Sequence, residues 1–160
     1  MKSSSLFITN ALIAVMLFLL MSCEKQDMNV LPKETQSGKN TFGCMINNRL
    51  YIGGGYYSYI GYSPLSAGYN RRDKILRIFA VSKIYTDKAN GSIGLTIANP
   101  VEGSSQKISH ATYIVDSPDC YQYLVLNGGE VYLTKFDTIN KIVSGRFSFK
   151  GKCAGYADDF

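Results

Sequence analysis

The sequence predicts an all-β fold: an antiparallel β-sandwich or small barrel of about seven to eight strands, behind a signal peptide and a flexible tether. Three observations predict it. Apolar and polar residues alternate with a period of two in several stretches after residue 41, as at Ile93, Leu95 and Ile97. Asn, Gly and Asp punctuate those stretches at short intervals. No window beyond the N-terminal segment carries helical periodicity. The expected organisation is a signal peptide over residues 1–22, a tether over 23–40 and a β domain over 41–160.

The N-terminal segment opens with Met1-Lys2 and then runs unbroken and apolar from Ala11 to Met21, 11 residues. That is short of the roughly 17–25 residues of a spanning helix and fits the hydrophobic region of a signal peptide. Leu20-Met21-Ser22-Cys23 resembles the bacterial lipobox, with leucine at minus three, a small residue at minus one and then the cysteine. The resemblance implies a thioether-linked diacylglyceryl on Cys23, cleavage before it and acylation of the new amino terminus. Two or more acyl chains suffice for stable anchoring. The expected partner is therefore a membrane, reached through an N-terminal lipid. Glu24 follows the cysteine where Asp would favour inner-membrane retention in enterobacteria, so the outer membrane is expected. "EKQDMNVLPKETQSGKN" is polar and aperiodic, as a tether would be.

Order is expected to begin near Thr41. "FGCMINNRLYI" puts Phe42, Cys44 and Ile46 on one strand face. Asn47-Asn48 suits the positive φ angles of a tight hairpin turn, and Leu50 and Ile52 are expected to resume the pattern. "GGGYYSYIGYSPLSAGYNRRD" has no strong period and reads as a long loop or ragged edge. "KILRIFAVSKI" is apolar on both parities, which suits a central strand. "SIGLTIANP" alternates cleanly until Pro100 ends it. "HATYIVD" gives a short strand with Tyr113 and Val115 on one face. "CYQYLVLNGGEVYLTKF" reads as a hairpin turning at Asn127-Gly128-Gly129. "DTIN" makes the next turn, and "KIVSGRFSF" is a last strand with Val143, Gly145, Phe147 and Phe149 on one side.

Composition narrows the function classes. The net charge is +5, from 17 Lys and Arg against 12 Asp and Glu, and the basic residues are scattered, with Arg71-Arg72 the one adjacent pair. Nucleic-acid binding, which clusters them on one face, is not expected. His110 is the sole histidine, with no nucleophile motif around it and no zinc-ligand spacing. No catalytic residue, metal or cofactor is expected.

Two end motifs carry a resemblance. "NTFGCMINNRLYI" and "VYLTKFDTINKIVSGRFSF" resemble those of a family of small uncharacterised lipoproteins from gut and oral Bacteroidetes. The likeness spans roughly residues 40 to 149 and implies no catalytic residues. Members tend to continue to a further strand, whereas here "KGKCAGYADDF" follows the last motif.

Candidate sites outside the lipobox are few. Tyr56, Tyr57, Tyr59, Tyr62 and Tyr69 fall within 14 residues amid Gly and Ser. Rings with polar tips on an adaptable loop suit a platform for a glycan or an envelope protein; equally, they suit the cover of one end of a sandwich. Asp137-Thr138-Ile139 matches the short O-glycosylation signal of Bacteroidetes, which makes Thr138 a candidate glycosite. Cys120 and Cys153 lie in turn-like contexts and can pair in an exported protein, while Cys44 on an apolar face reads as a free thiol. The expected function is a membrane-anchored binding module for a glycan or envelope partner. The alternatives are a structural or accessory subunit of an envelope complex and, with least support, a hydrolase working through a carboxylate pair.

Overall fold

The computed structural model describes residues 30–54, 63–82, 90–115, 122–125 and 129–153. Eleven strands lie within them: β1 Phe42–Ile46, β2 Arg49–Gly53, β3 Leu65–Asn70, β4 Ile75–Val81, β5 Ser92–Ala98, β6 Ser105–Lys107, β7 His110–Ile114, β8 Gln122–Val125, β9 Glu130–Asp137, β10 Ile142–Ser148 and β11 Gly151–Cys153. The fold is all-β and sandwich-like, and it does not close into a barrel. One layer is a six-stranded sheet in the order β11-β8-β7-β5-β4-β3; facing it is a three-stranded sheet, β10-β9-β6, and β1 and β2 form a separate hairpin.

The six-stranded sheet is antiparallel throughout, and its register writes the core as rows across strands. Leu65, Ala80, Ile93, Tyr113, Tyr123 and Cys153 follow one another from β3 to β11. Ala67, Ile78, Leu95 and Ala111 form the next row. Ala80, Ile93, Leu95, Ile97 and Ala111 are buried. Each buried Ile or Leu contributes about 1.5–3 kcal/mol over an exposed one. This is the alternation read from "SIGLTIANP". β4 is apolar on both parities, but only Leu76 and Ala80 are buried, while Phe79 on the opposite parity is 41% exposed.

Two of the turns expected from sequence form, at Asn47-Asn48 and at Asp137. Asn47 and Asn48 have φ of 47° and 62°, and the resulting two-residue turn pairs Ile46 with Arg49. That register corrects the expected face. Cys44 faces Tyr51 and Phe42 faces Gly53, so Tyr51, wholly buried, is the β2 residue that joins the main core cluster. Leu50 and Ile52 point the other way, where Ile52 is buried as well. At the β9–β10 turn, Asp137 Oδ1 accepts the amides of Ile139 and Asn140 at 3.0 and 2.9 Å, and Asn140 Nδ2 donates to Oδ2. These bonds to the carboxylate hold its pKa below the usual range.

The run expected as a long loop or ragged edge contains β3, the edge strand of the larger sheet; its small residues Ala67 and Gly68 hide the alternation. One further expectation is corrected. The expected hairpin around Asn127-Gly128-Gly129 is not one. β8 pairs with β7 and β11, and β9 pairs with β10 and β6, so the chain changes sheets between them. Both flanks of β8 are occupied, which leaves β9 no edge to join. Gly129 is needed for a different reason: a Cβ there would meet Phe149 Cβ at 2.6 Å and the Ser148 carbonyl at 2.9 Å. The structure also adds β6 and β11, each three residues long.

The β9–β10 ladder shifts register between Ser144 and Gly145. Ser144 opposes Lys135 and Gly145 opposes Leu133, which leaves Thr134 as the extra residue of a β-bulge. The bulge switches parity on β9. Val131 and Leu133 face inward before it and Phe136 after it; they oppose Phe147, Gly145 and Val143 of β10, of which Phe147 and Val143 pack on the core. A Cβ on Gly145 would collide with the Tyr132 carbonyl oxygen, so the close approach at the bulge requires glycine.

Candidate functional site

Between the layers lies a cleft of about 1340 Å³. Ile78, Leu95, Tyr113 and Tyr123 line it from the large sheet, Val143 and Phe147 from the small one. Cys44 and Ile46 of β1 line it from the hairpin. It exists because the three-stranded sheet is too narrow to cover six strands. Ala67 shows this best: its register puts it on the inward row beside Ile78, yet it is exposed.

Aromatic stacking forms the walls. Phe42 stacks on Phe147 at 5.3 Å between centroids, and Phe147 on Phe149 at 6.1 Å. On the opposite layer Tyr113 stacks on Tyr123 at 5.9 Å. Phe42 also meets Tyr51 edge-on, and Tyr51 meets Tyr113, so the hairpin bridges the two layers. Two polar tips in the walls are satisfied internally. Tyr113 donates to the Asn90 carbonyl at 2.6 Å, and Ser144 Oγ donates to the Thr35 carbonyl. Burial raises the Tyr113 pKa, and the nearby Arg49 opposes that rise in part. Burial likewise pushes the Cys44 thiol up to about 12, so it stays protonated and unreactive at neutral pH. Cys44 is free.

Residues 30–40, the latter part of the segment expected to be a tether, run along this side of the domain. Glu34 Oε2 lies 3.1 Å from Arg146 Nε, and Gln36 Nε2 donates to the Thr134 carbonyl at 3.3 Å. Pro32 sits so close over Gly43 that a Cβ there would meet its Cδ at 2.5 Å. Several of these residues also line the cleft.

The residues singled out from sequence do not all assemble here. Tyr69 lies on β3 and its ring packs edge-on against Phe136 at 5.0 Å, half-buried at the core margin. Tyr56, Tyr57, Tyr59 and Tyr62 lie outside the described residues, as do Cys23 and Cys120. Cys153 is disulfide-bonded. Thr138 sits half-exposed in the β9–β10 turn beside Ile139, which is 85% exposed. His110 is exposed at the start of β7. Among the described residues no three His, Cys, Asp or Glu side chains gather as metal ligands.

The chain matches no protein-family model, no curated protein and no solved structure. The likeness to the Bacteroidetes lipoproteins thus rests on the two end motifs alone. Sequence reasoning missed the cleft. The alternation of Leu65, Ala67 and Tyr69 was its one local signal, and it marks a strand rather than an opening.

Proposed function

We propose that this chain is a lipid-anchored binding protein of the bacterial envelope, held at the outer membrane through Cys23, that carries its ligand in the interlayer cleft. The cleft is the observation that carries the reading. Concave sites with mostly apolar walls and a few polar groups are where ligands bind, and this one opens at Ala67 rather than being filled by side chains. The lipobox and the end motifs support the anchor. The hydrolase alternative needs two carboxyl groups across a cleft. Glu34 is the one carboxylate among the described lining residues, and it is engaged with Arg146. With Cys44 free and Cys23 assigned to lipid, Cys120 is the partner we propose for Cys153; Thr138, on an accessible turn, stays a proposed glycosite.

The experiment places a photo-crosslinking phenylalanine analogue at Ala67, and separately at Tyr57 and Tyr59, in cells making the full-length protein. The expected result is a discrete small-mass adduct at Ala67. A small-mass adduct confined to Tyr57 and Tyr59 would move the site to the tyrosine-rich segment. Protein-sized adducts alone would favour the accessory-subunit alternative, and silence at all three would overturn the binding reading. The anchor is tested in the same cells by labelling with an alkynyl fatty acid, which Cys23→Ser should abolish.

A further inference from the structure

We propose that the cleft takes a long-chain carboxylate, a single acyl chain lying between the aromatic walls with its anionic head at a basic rim; this rests on the binding function proposed above. Three features of the cleft support it. Its walls include the stacked rings of Phe42, Phe147, Phe149, Tyr113 and Tyr123 and the aliphatic Ile78, Ile93 and Leu95, with the Tyr113 and Ser144 hydroxyls engaged on backbone carbonyls. An alkyl chain needs no directional partner along such walls. Its volume of about 1340 Å³ leaves room for an extended chain. Its lining carries Lys33, Lys141 and Lys150, and the one carboxylate among the described lining residues, Glu34, is held by Arg146, so these three lysines favour an anion at the rim.

The test uses the entire mature chain with Cys23→Ser, exported without lipid. Saturated carboxylates of eight to fourteen carbons are titrated calorimetrically below their micelle concentrations, beside the alcohols of equal length. Binding is expected at one per chain, tightening by roughly tenfold for each two methylenes. The alcohols should bind at least about tenfold more weakly at low salt, with the gap closing in high salt. Ala67→Trp fills the cleft from an already exposed position and should weaken binding at least about tenfold while the circular dichroism spectrum is retained. Lys141→Glu combined with Lys150→Glu should weaken the carboxylates and leave the alcohols unchanged.

Equal affinity for the alcohols, no trend with chain length, or undiminished affinity in Ala67→Trp would each overturn the proposal. So would tight binding of single-chain phosphate esters with none of the carboxylates. If a small-mass adduct forms at Ala67 in cells while no carboxylate binds, this inference fails and the binding function stands. If both are silent, both fail.

Discussion

Tyr51 carries a hydroxyl into a site with no solvent exposure. The group is accommodated because it donates to the Ala80 carbonyl at 2.8 Å, with the Gly91 carbonyl 3.2 Å away. One side chain of the hairpin is thereby tied to the backbone of the large sheet. Tyr51→Phe keeps the ring and removes the tie, and should cost about 1 kcal/mol in urea unfolding. The same residue sets a pH dependence. Burial raises its pKa above the ordinary tyrosine value of 10.0, and that of Tyr113 in the same direction. Their contribution is fully present below that pH. It is lost as pH rises from there through the higher folded values, because the unfolded chain gives up its protons first. Urea midpoints between pH 7 and 11 should fall on the alkaline side, and less steeply in Tyr51→Phe. An identical fall in the variant would assign the loss elsewhere.

Among the elements, the β9 bulge holds the least satisfied polar group described. Thr134 Oγ1 is buried with no hydrogen-bond partner, while its carbonyl is used by Gln36. Thr134→Val removes the hydroxyl at nearly constant shape and should raise stability by up to about 1–2 kcal/mol; a loss of stability would show that the hydroxyl has a partner in solution. The β8–β9 connection has its own test. Since the two strands belong to different sheets, inserting Gly-Ser between Asn127 and Gly128 disturbs no shared register. It should cost no more than about 0.6 kcal/mol, where a true hairpin would lose its pairing. These elements also mark how far the sequence could be read. Asn47-Asn48 and Asp137 were legible because a turn is decided by its own residues. The partner of β8 was not, since "QYLV" and "EVYL" alternate identically whether they pair with each other or with strands elsewhere. β6 and β11 are too short to show a period at all. The bulge was hidden in "VYLTKF", where one extra residue looks like a lapse in the pattern.

For the molecule as a whole, the candidate site was legible only in part. The run resembling a lipobox is local, and so is the tyrosine cluster. The cleft is a mismatch between the widths of two sheets, which no stretch of chain records, and Ala67 reads the same whether it is covered or open. Tyr69 belongs by composition to the cluster, but its ring is drawn to Phe136 by a contact 67 residues away in sequence. The sandwich is closed at one edge by β11, whose Cys153 is disulfide-bonded. Reduction should destabilise the domain by about 2–4 kcal/mol. Cys153→Ser should reproduce that loss and be insensitive to reductant, and Cys120→Ser should match it if these two cysteines pair. A melting temperature indifferent to reductant would contradict the bond.

The docking of Pro32, Glu34 and Gln36 against β1, β9 and β10 also sets how high the domain can stand. A chain anchored at Cys23 and free as far as Thr41 would have a leash of about 60 Å when fully stretched. With the chain pinned from Pro32 onward, nine residues remain, and the leash shortens to about 30 Å. On the proposed anchor at Cys23, the pinned stretch, which borders the cleft, would keep the opening within a domain's width of the lipid headgroups. A domain held that low would exchange a ligand with its own bilayer rather than reach across the envelope.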